Sequence, residues 1–125
     1  MYKIKVQTEV AGAHQLKLSY DSPCERLHGH NWLIEVELVT EQLDDNGMVC
    51  DFKVAKTILK KYVHDVIDHT FLNDIFDFNP TAENICGWVA DQVTRGLIDN
   101  GVRGVSCQKV SVYETPNNVA IWEIG

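Results

Sequence analysis

His28-Gly29-His30-Asn31-Trp32-Leu33-Ile34-Glu35-Val36-Glu37-Leu38-Val39 is the stretch that decides the fold. Over residues 31–39, Trp32, Ile34, Val36 and Leu38 alternate with Leu33, Glu35, Glu37 and Val39. A period of two places each set on its own face of a β-strand, and the first set is apolar throughout. One face of this strand must therefore be covered. Upstream, Ile4, Val6, Thr8 and Val10 alternate with Lys3, Lys5, Gln7 and Glu9 in the same way, which predicts a second half-buried strand. Downstream, Asp44-Asp45-Asn46-Gly47 is a turn signal, and a short strand is expected at Met48–Cys50.

Helical spacing replaces alternation after Asp51, a candidate N-cap. Phe52, Ala55, Ile58, Leu59, Tyr62, Val63 and Val66 mark one helix. Asn79-Pro80-Thr81 starts another, with Pro80 suited to its first turn, Ile85, Trp88, Val89, Val93 and Leu97 as its apolar stripe, and Asn100-Gly101 as its end. Strands near 104–114 and 118–124 close the chain around Pro116-Asn117-Asn118. The order strand, strand, helix, helix, strand, strand predicts an α+β fold, with an antiparallel four-stranded sheet and two helices on one face. Open sheet edges and a partly apolar second face point to an oligomer.

The 125 residues argue for one domain spanning 1–125. A net charge of −7 disfavours a general nucleic-acid binder, which needs a basic face. No apolar run approaches the roughly 20 residues of a membrane span, and the start lacks the apolar core of a signal peptide. The cysteines Cys24, Cys50, Cys86 and Cys107 form no CxxC pair, which excludes a cysteine-rich zinc finger and fits a reduced, cytoplasmic chain. Apolar neighbours mark Cys50, Cys86 and Cys107 as core filler.

Chemistry gathers elsewhere. His28 and His30, two apart on an extended chain, face one side and can converge on one metal, and Gly29 between them permits a close approach. His14, at the end of the first strand, is the natural third ligand if the two strands pair. Three nitrogens and one open position describe a catalytic zinc site. Cys24 has loop-forming and polar neighbours, so it reads as a reactive thiolate, a fourth ligand closing the site, or an incidental surface thiol. Glu25 reads as a general base, a metal-proximal carboxylate or a solvated charge. Asp68 beside His69 can fix the imidazole tautomer, although a histidine at a helix C-terminus is also favoured by the dipole. His64 reads as an ordinary mid-helix residue. Glu114 can accept two hydrogen bonds from an N–H pair on a heterocycle, or face solvent.

In order along the chain come Ala13-His14, Cys24-Glu25-Arg26-Leu27-His28-Gly29-His30, Asp51-Phe52, Ile67-Asp68-His69-Thr70-Phe71-Leu72-Asn73, Asn79-Pro80-Thr81-Ala82-Glu83-Asn84 and Tyr113-Glu114-Thr115. Together they resemble the 6-pyruvoyl-tetrahydropterin synthase / QueD family over nearly the whole chain. The CxxxHGH spacing is similar to the 6-carboxy-5,6,7,8-tetrahydropterin synthase branch of the queuosine pathway. Glu25 also satisfies the ExxHGH pattern of a folate-route branch. The resemblance implies a tunnelling fold, in which trimeric barrels stack as a homohexamer with active sites between subunits. It implies zinc on His14, His28 and His30, Cys24 as catalytic thiol, and Asp68 with His69 as a second acid–base unit from a neighbouring subunit. Glu114 would anchor the ring, Thr81 and Glu83 would line its pocket, and Glu25 is the rival catalytic group. The implied substrate is a pterin triphosphate, 7,8-dihydroneopterin triphosphate.

Overall fold

The structure, a computed structural model, describes residues 1–125. Strands β1 (Tyr2–His14) and β2 (His28–Thr40) pair antiparallel along their full length, from Tyr2 opposite Thr40 to His14 opposite His28. Because residues paired across an antiparallel ladder share a face, Val6 and Val10 of β1 lie on the same side as Trp32, Ile34, Val36 and Leu38 of β2, and all six are buried. Strand β4 (Ser106–Thr115) pairs with β2 and adds Val110 and Val112 to that face, and β5 (Asn118–Glu123) pairs with β4.

Helix α1 (Phe52–Leu59) passes into a π-helical turn at Lys60–His64 and ends in α2 (Asp65–Ile67). Asp51 caps α1 by accepting the Lys53 N–H at 2.8 Å. A single turn, α3 (Leu72–Ile75), precedes the long helix α4 (Ala82–Asp99). Pro80 lies just before this helix; Thr81 is the cap, its hydroxyl accepting the Asn84 N–H at 3.1 Å. Asn100 caps the other end, and Gly101 takes a left-handed φ of 68° that turns the chain away. The faces carrying Ala55, Ile58 and Leu59, and Ile85, Val89, Val93 and Leu97, close over the apolar side of the sheet. No helix is long and apolar enough to cross a membrane.

The α+β class and the two covering helices agree with the sequence reading, but the sheet has five strands rather than four, in the order β3-β1-β2-β4-β5. The extra strand, β3 (Thr70–Phe71), runs parallel to β1 beside Gly12 and Ala13. Two residues carry no alternation, so no sequence pattern announces it. Conversely, Met48–Cys50 forms no strand. The Asp44 carboxylate takes the Asn46 and Met48 N–H groups at 2.9 and 3.0 Å, folding the loop on itself, and Val49 and Cys50 plug into the core without ladder partners. Burial pushes the Cys86 thiol up to about 11 and the Cys107 thiol up to about 12, which leaves both unreactive.

At Gly96, α4 crosses the α1 rod. A Cβ there would overlap the Ile58 γ-methyl and lie 3.1 Å from the Tyr62 ring. Gly96→Ala gains about 1 kcal/mol of helix propensity and loses about 1–3 kcal/mol to overpacking. The expected result in urea unfolding is a net destabilisation, despite alanine being the better helix former. A stabilised variant would show that the helices can separate freely.

Candidate metal centre and active site

At one end of the sheet the core-facing positions of three neighbouring strands change from apolar to ligating. On β1 the series Val6, Val10 ends in His14; on β2 Ile34, Trp32 ends in His30 and His28; on β4 Val110, Val112 ends in Glu114. The register that pairs His14 with His28 and Gly12 with His30 gathers the rings, with centroids 4.5 Å apart for His14–His28, 5.4 Å for His14–His30 and 4.8 Å for His28–His30. Trp32 meets the His14 and His30 rings edge-on and donates its indole N–H to the Gly12 carbonyl at 3.1 Å, forming a fixed floor.

Hydrogen bonding sets the tautomers. His14 Nδ1 lies 2.8 Å from the Pro80 carbonyl and His28 Nδ1 2.6 Å from the Arg26 carbonyl. A carbonyl only accepts, so each Nδ1 donates a proton and the neutral ring keeps its lone pair on Nε2. These two Nε2 atoms face each other at 2.9 Å. Opposed lone pairs at that distance repel unless a cation joins them. A proton is a poor joiner, because burial holds the fully buried His14 below its ordinary pKa. His30 Nε2 is buried without a hydrogen bond; Glu114 Oε1 is only 2.9 Å away, but not in line to accept one. One ligand atom from each of His14, His28, His30 and Glu114 lies within 4.8 Å of the others. This set fits a divalent metal ion.

Cys24 and Glu25 share a single 3₁₀ turn, Pro23–Glu25, between β1 and β2. Extended backbone would aim the two side chains apart; the turn removes that constraint. Ser22 starts it by accepting the Cys24 N–H at 3.2 Å, and the Leu16 N–H donates to the Cys24 carbonyl at 3.2 Å. Cys24 is exposed and stands outside the ligating set, so the fourth group near the imidazoles is Glu114 and not the thiol.

Asp68 and His69 form a close ion-pair contact, His69 Nδ1 lying 2.8 Å from Asp68 Oδ2. Asp68 Oδ1 accepts the Ala11 N–H at 2.9 Å, and His69 N–H donates to the Ala11 carbonyl at 2.6 Å. His69 has a φ of +58°, a left-handed conformation costly for a histidine and held here by these bonds. The Ala11 N–H, then the His69 ring, hold the Asp68 carboxyl below its usual range. His69 is 80% exposed at its side chain and lines, with His30, an open cleft of about 460 Å³. Thr81 is spent partly as the α4 cap, while Glu83 and Glu114 line a smaller cavity of about 260 Å³.

Three features escaped the sequence reading. Glu114 reaches the imidazoles, which its shared parity with Val110 and Val112 could have shown. His64 Nε2 lies 3.6 Å from Asp68 Oδ2, a pairing that the i, i+4 spacing allowed. The carbonyls that orient His14 and His28 had no signal in residue type.

The chain matches the family model described as 6-pyruvoyl tetrahydropterin synthase over residues 3–124. It is 34% identical to a 6-carboxy-5,6,7,8-tetrahydropterin synthase of Synechocystis, covering 96% of this chain and 92% of that one. It is 30% identical to a protein of the same name from Bacillus subtilis, covering 97% and 84%. In fold it is similar to the 6-pyruvoyl tetrahydropterin synthase of Caenorhabditis elegans, with a TM-score of 0.81 and 24% identity over 99% of this chain and 96% of that one. With a family model spanning nearly every residue and full-length relatives that share about a third of them, the chain belongs to the 6-pyruvoyl tetrahydropterin synthase family of enzymes.

Proposed function

We propose that the protein is a zinc-dependent lyase that converts 7,8-dihydroneopterin triphosphate to 6-carboxy-5,6,7,8-tetrahydropterin, releasing acetaldehyde and triphosphate. The observation that carries this reading is the set of three imidazoles with Nε2 atoms turned to a common point, two of them fixed by Nδ1 bonds to carbonyls. The names of the Bacillus and Synechocystis relatives favour the 6-carboxy product.

His14, His28 and His30 would hold the zinc. When bound, the ion supplies positive charge that polarises the substrate's side-chain hydroxyls and the carbon bearing them. Cys24, exposed on its turn, would as thiolate take a proton from that side chain. His69, anchored through Nδ1 on Asp68, would exchange protons at Nε2 from the cleft. Asp68 stays ionised at neutral pH and so holds one tautomer in place. Glu114 would accept the N–H pair of the pterin ring, with Thr81 and Glu83 beside it. Triphosphate leaves, and carbon–carbon cleavage then releases acetaldehyde. A homohexamer with sites between subunits suits the apolar side chains exposed on edge strand β5, Val119 at 44% and Ile121 at 55%.

Glu25 supports a second reading, because it shares the Cys24 turn: glutamate-assisted cleavage to 6-hydroxymethyl-7,8-dihydropterin. The rival reading, a non-catalytic zinc module closed by Cys24, lacks that ligand because Cys24 stands outside the ligating set; only Glu114 is placed to close the site.

Incubation of zinc-loaded protein with 7,8-dihydroneopterin triphosphate should yield the 6-carboxy product and acetaldehyde by chromatography. Chelation should abolish this and added Zn²⁺ restore it; a pyruvoyl or hydroxymethyl product would reassign the branch. Cys24→Ala should cut formation of the 6-carboxy product by about 10²–10⁴-fold, with Glu25→Ala far milder. Full activity in Cys24→Ala removes the thiol role. The depressed Asp68 pKa also has a stability sign. Its contribution is complete above the unfolded carboxyl value of about 3.9 and fades as pH falls through the lower folded value. The stability gap between wild type and Asp68→Asn should therefore be widest near neutral pH and close in acid, as read by urea unfolding across pH.

A further inference from the structure

Residues 68–79 line the outer edge of β1 and its continuation. Asp68 and His69 bond both backbone groups of Ala11, and β3 pairs with Gly12 and Ala13. Beyond His14 no strand continues, and two asparagine side chains take its place. Asn73 Oδ1 accepts the Gln15 N–H at 2.9 Å while its Nδ2 donates to the Gln15 carbonyl at 2.8 Å. Asn79 does the same to Lys17, both bonds 3.0 Å. Each carboxamide reproduces the donor–acceptor pair of a β-strand residue, and a flipped amide would set like against like.

Alternate residues of an extended chain present their amide groups to opposite sides. With Gln15 and Lys17 turned to the asparagines, the N–H of Leu16 between them faces the other way, where it donates to the Cys24 carbonyl at 3.2 Å. The turn's other anchor is the Arg26 carbonyl on His28 Nδ1. The asparagine clamps, at both backbone groups of Gln15 and Lys17, are the remaining hydrogen bonds from residues 15–27 to the rest of the chain. Asn79 is itself braced, its carbonyl accepting the Thr81 N–H at 2.8 Å and the Asn84 amide at 2.9 Å, and the next carbonyl, Pro80, orients His14. Bonds this exposed trade with water and add little net stability, so their effect is geometric.

We infer that Asn73 and Asn79 are positioning residues: as side-chain substitutes for a strand, they set the rotation of residues 15–17 and thereby hold the Cys24 turn against the imidazole cluster. The catalytic part of this inference rests on the thiol role proposed above; the structural part does not.

The test uses full-length, zinc-loaded protein with Asn73→Ala, Asn79→Ala, the double variant, and Asn79→Asp, which keeps the acceptor for Lys17 N–H and loses the donor. Zinc content and circular dichroism serve as folding controls. In each alanine variant, hydrogen exchange in the peptide spanning residues 15–27 should speed up, and the iodoacetamide alkylation rate at Cys24 should change while Cys50, Cys86 and Cys107 stay unlabelled. kcat should fall by about 10- to 100-fold with KM little altered, as for a displaced catalytic group. Asn79→Asp should fall between wild type and alanine. If the double variant does not fold, the single variants and Asn79→Asp give the same readouts. Wild-type exchange and wild-type Cys24 alkylation in folded alanine variants overturn the inference. Full activity in Cys24→Ala instead removes the thiol role alone, since exchange and alkylation still report on the clamp.

Discussion

The site depends on two nitrogens forced to face each other. His14 and His28 each give their Nδ1 proton to a carbonyl, and the β1–β2 register then brings the remaining lone pairs to 2.9 Å. An arrangement of this kind is unfavourable by itself and favourable around a cation, so the fold stores a metal preference in its strand pairing. A one-residue slip of β1 against β2 would turn His14, with Val6 and Val10, to the face opposite His28, His30 and the apolar series from Trp32 to Leu38. The burial of the core and the gathering of the three imidazoles are thus one constraint. The same hydrophobic pattern that forbids the slip keeps the histidines together.

Around this centre the chain uses backbone bonding more than charge. The Pro80 and Arg26 carbonyls choose the tautomers, the Ala11 amide group holds the Asp68–His69 pair, and Leu16 holds the Cys24 turn. Each of these contacts is made by a segment far away in sequence or by a loop. Asn73, Asn79 and Pro80 bond to Gln15, Lys17 and His14 and stand outside the group of ligating atoms. The strained φ of His69 belongs to the same economy: a conformation that histidine resists is kept because both its amide and its ring are already committed.

The fold was largely legible because long amphipathic elements carry their own period. β2 and α4 follow the alternation and the helical stripe read from residues 31–39 and 85–97. What went unread was short or locally satisfied: β3 has too few residues for a period, and the Asp44 loop hides its apolar Val49 and Cys50 outside any ladder. Of the site, the histidine spacing and the adjacent Asp68 and His69 stood in the sequence. The partnership of Glu114 with the imidazoles did not, although its parity on β4 placed it on the core face.

Sequence alone determined which faces are apolar, where the two long helical stretches fall, and which residue types could bind a metal or move a proton, since these follow from periodicity and side-chain chemistry. Tertiary structure decided which nitrogen of His14 and of His28 is free, that Glu114 and not Cys24 stands nearest the imidazoles, and that asparagine side chains finish the edge of β1. The reason is that tautomer, reach and edge pairing depend on contacts that residue type does not announce, most of them between segments far apart along the chain, and only the folded register brings those segments together.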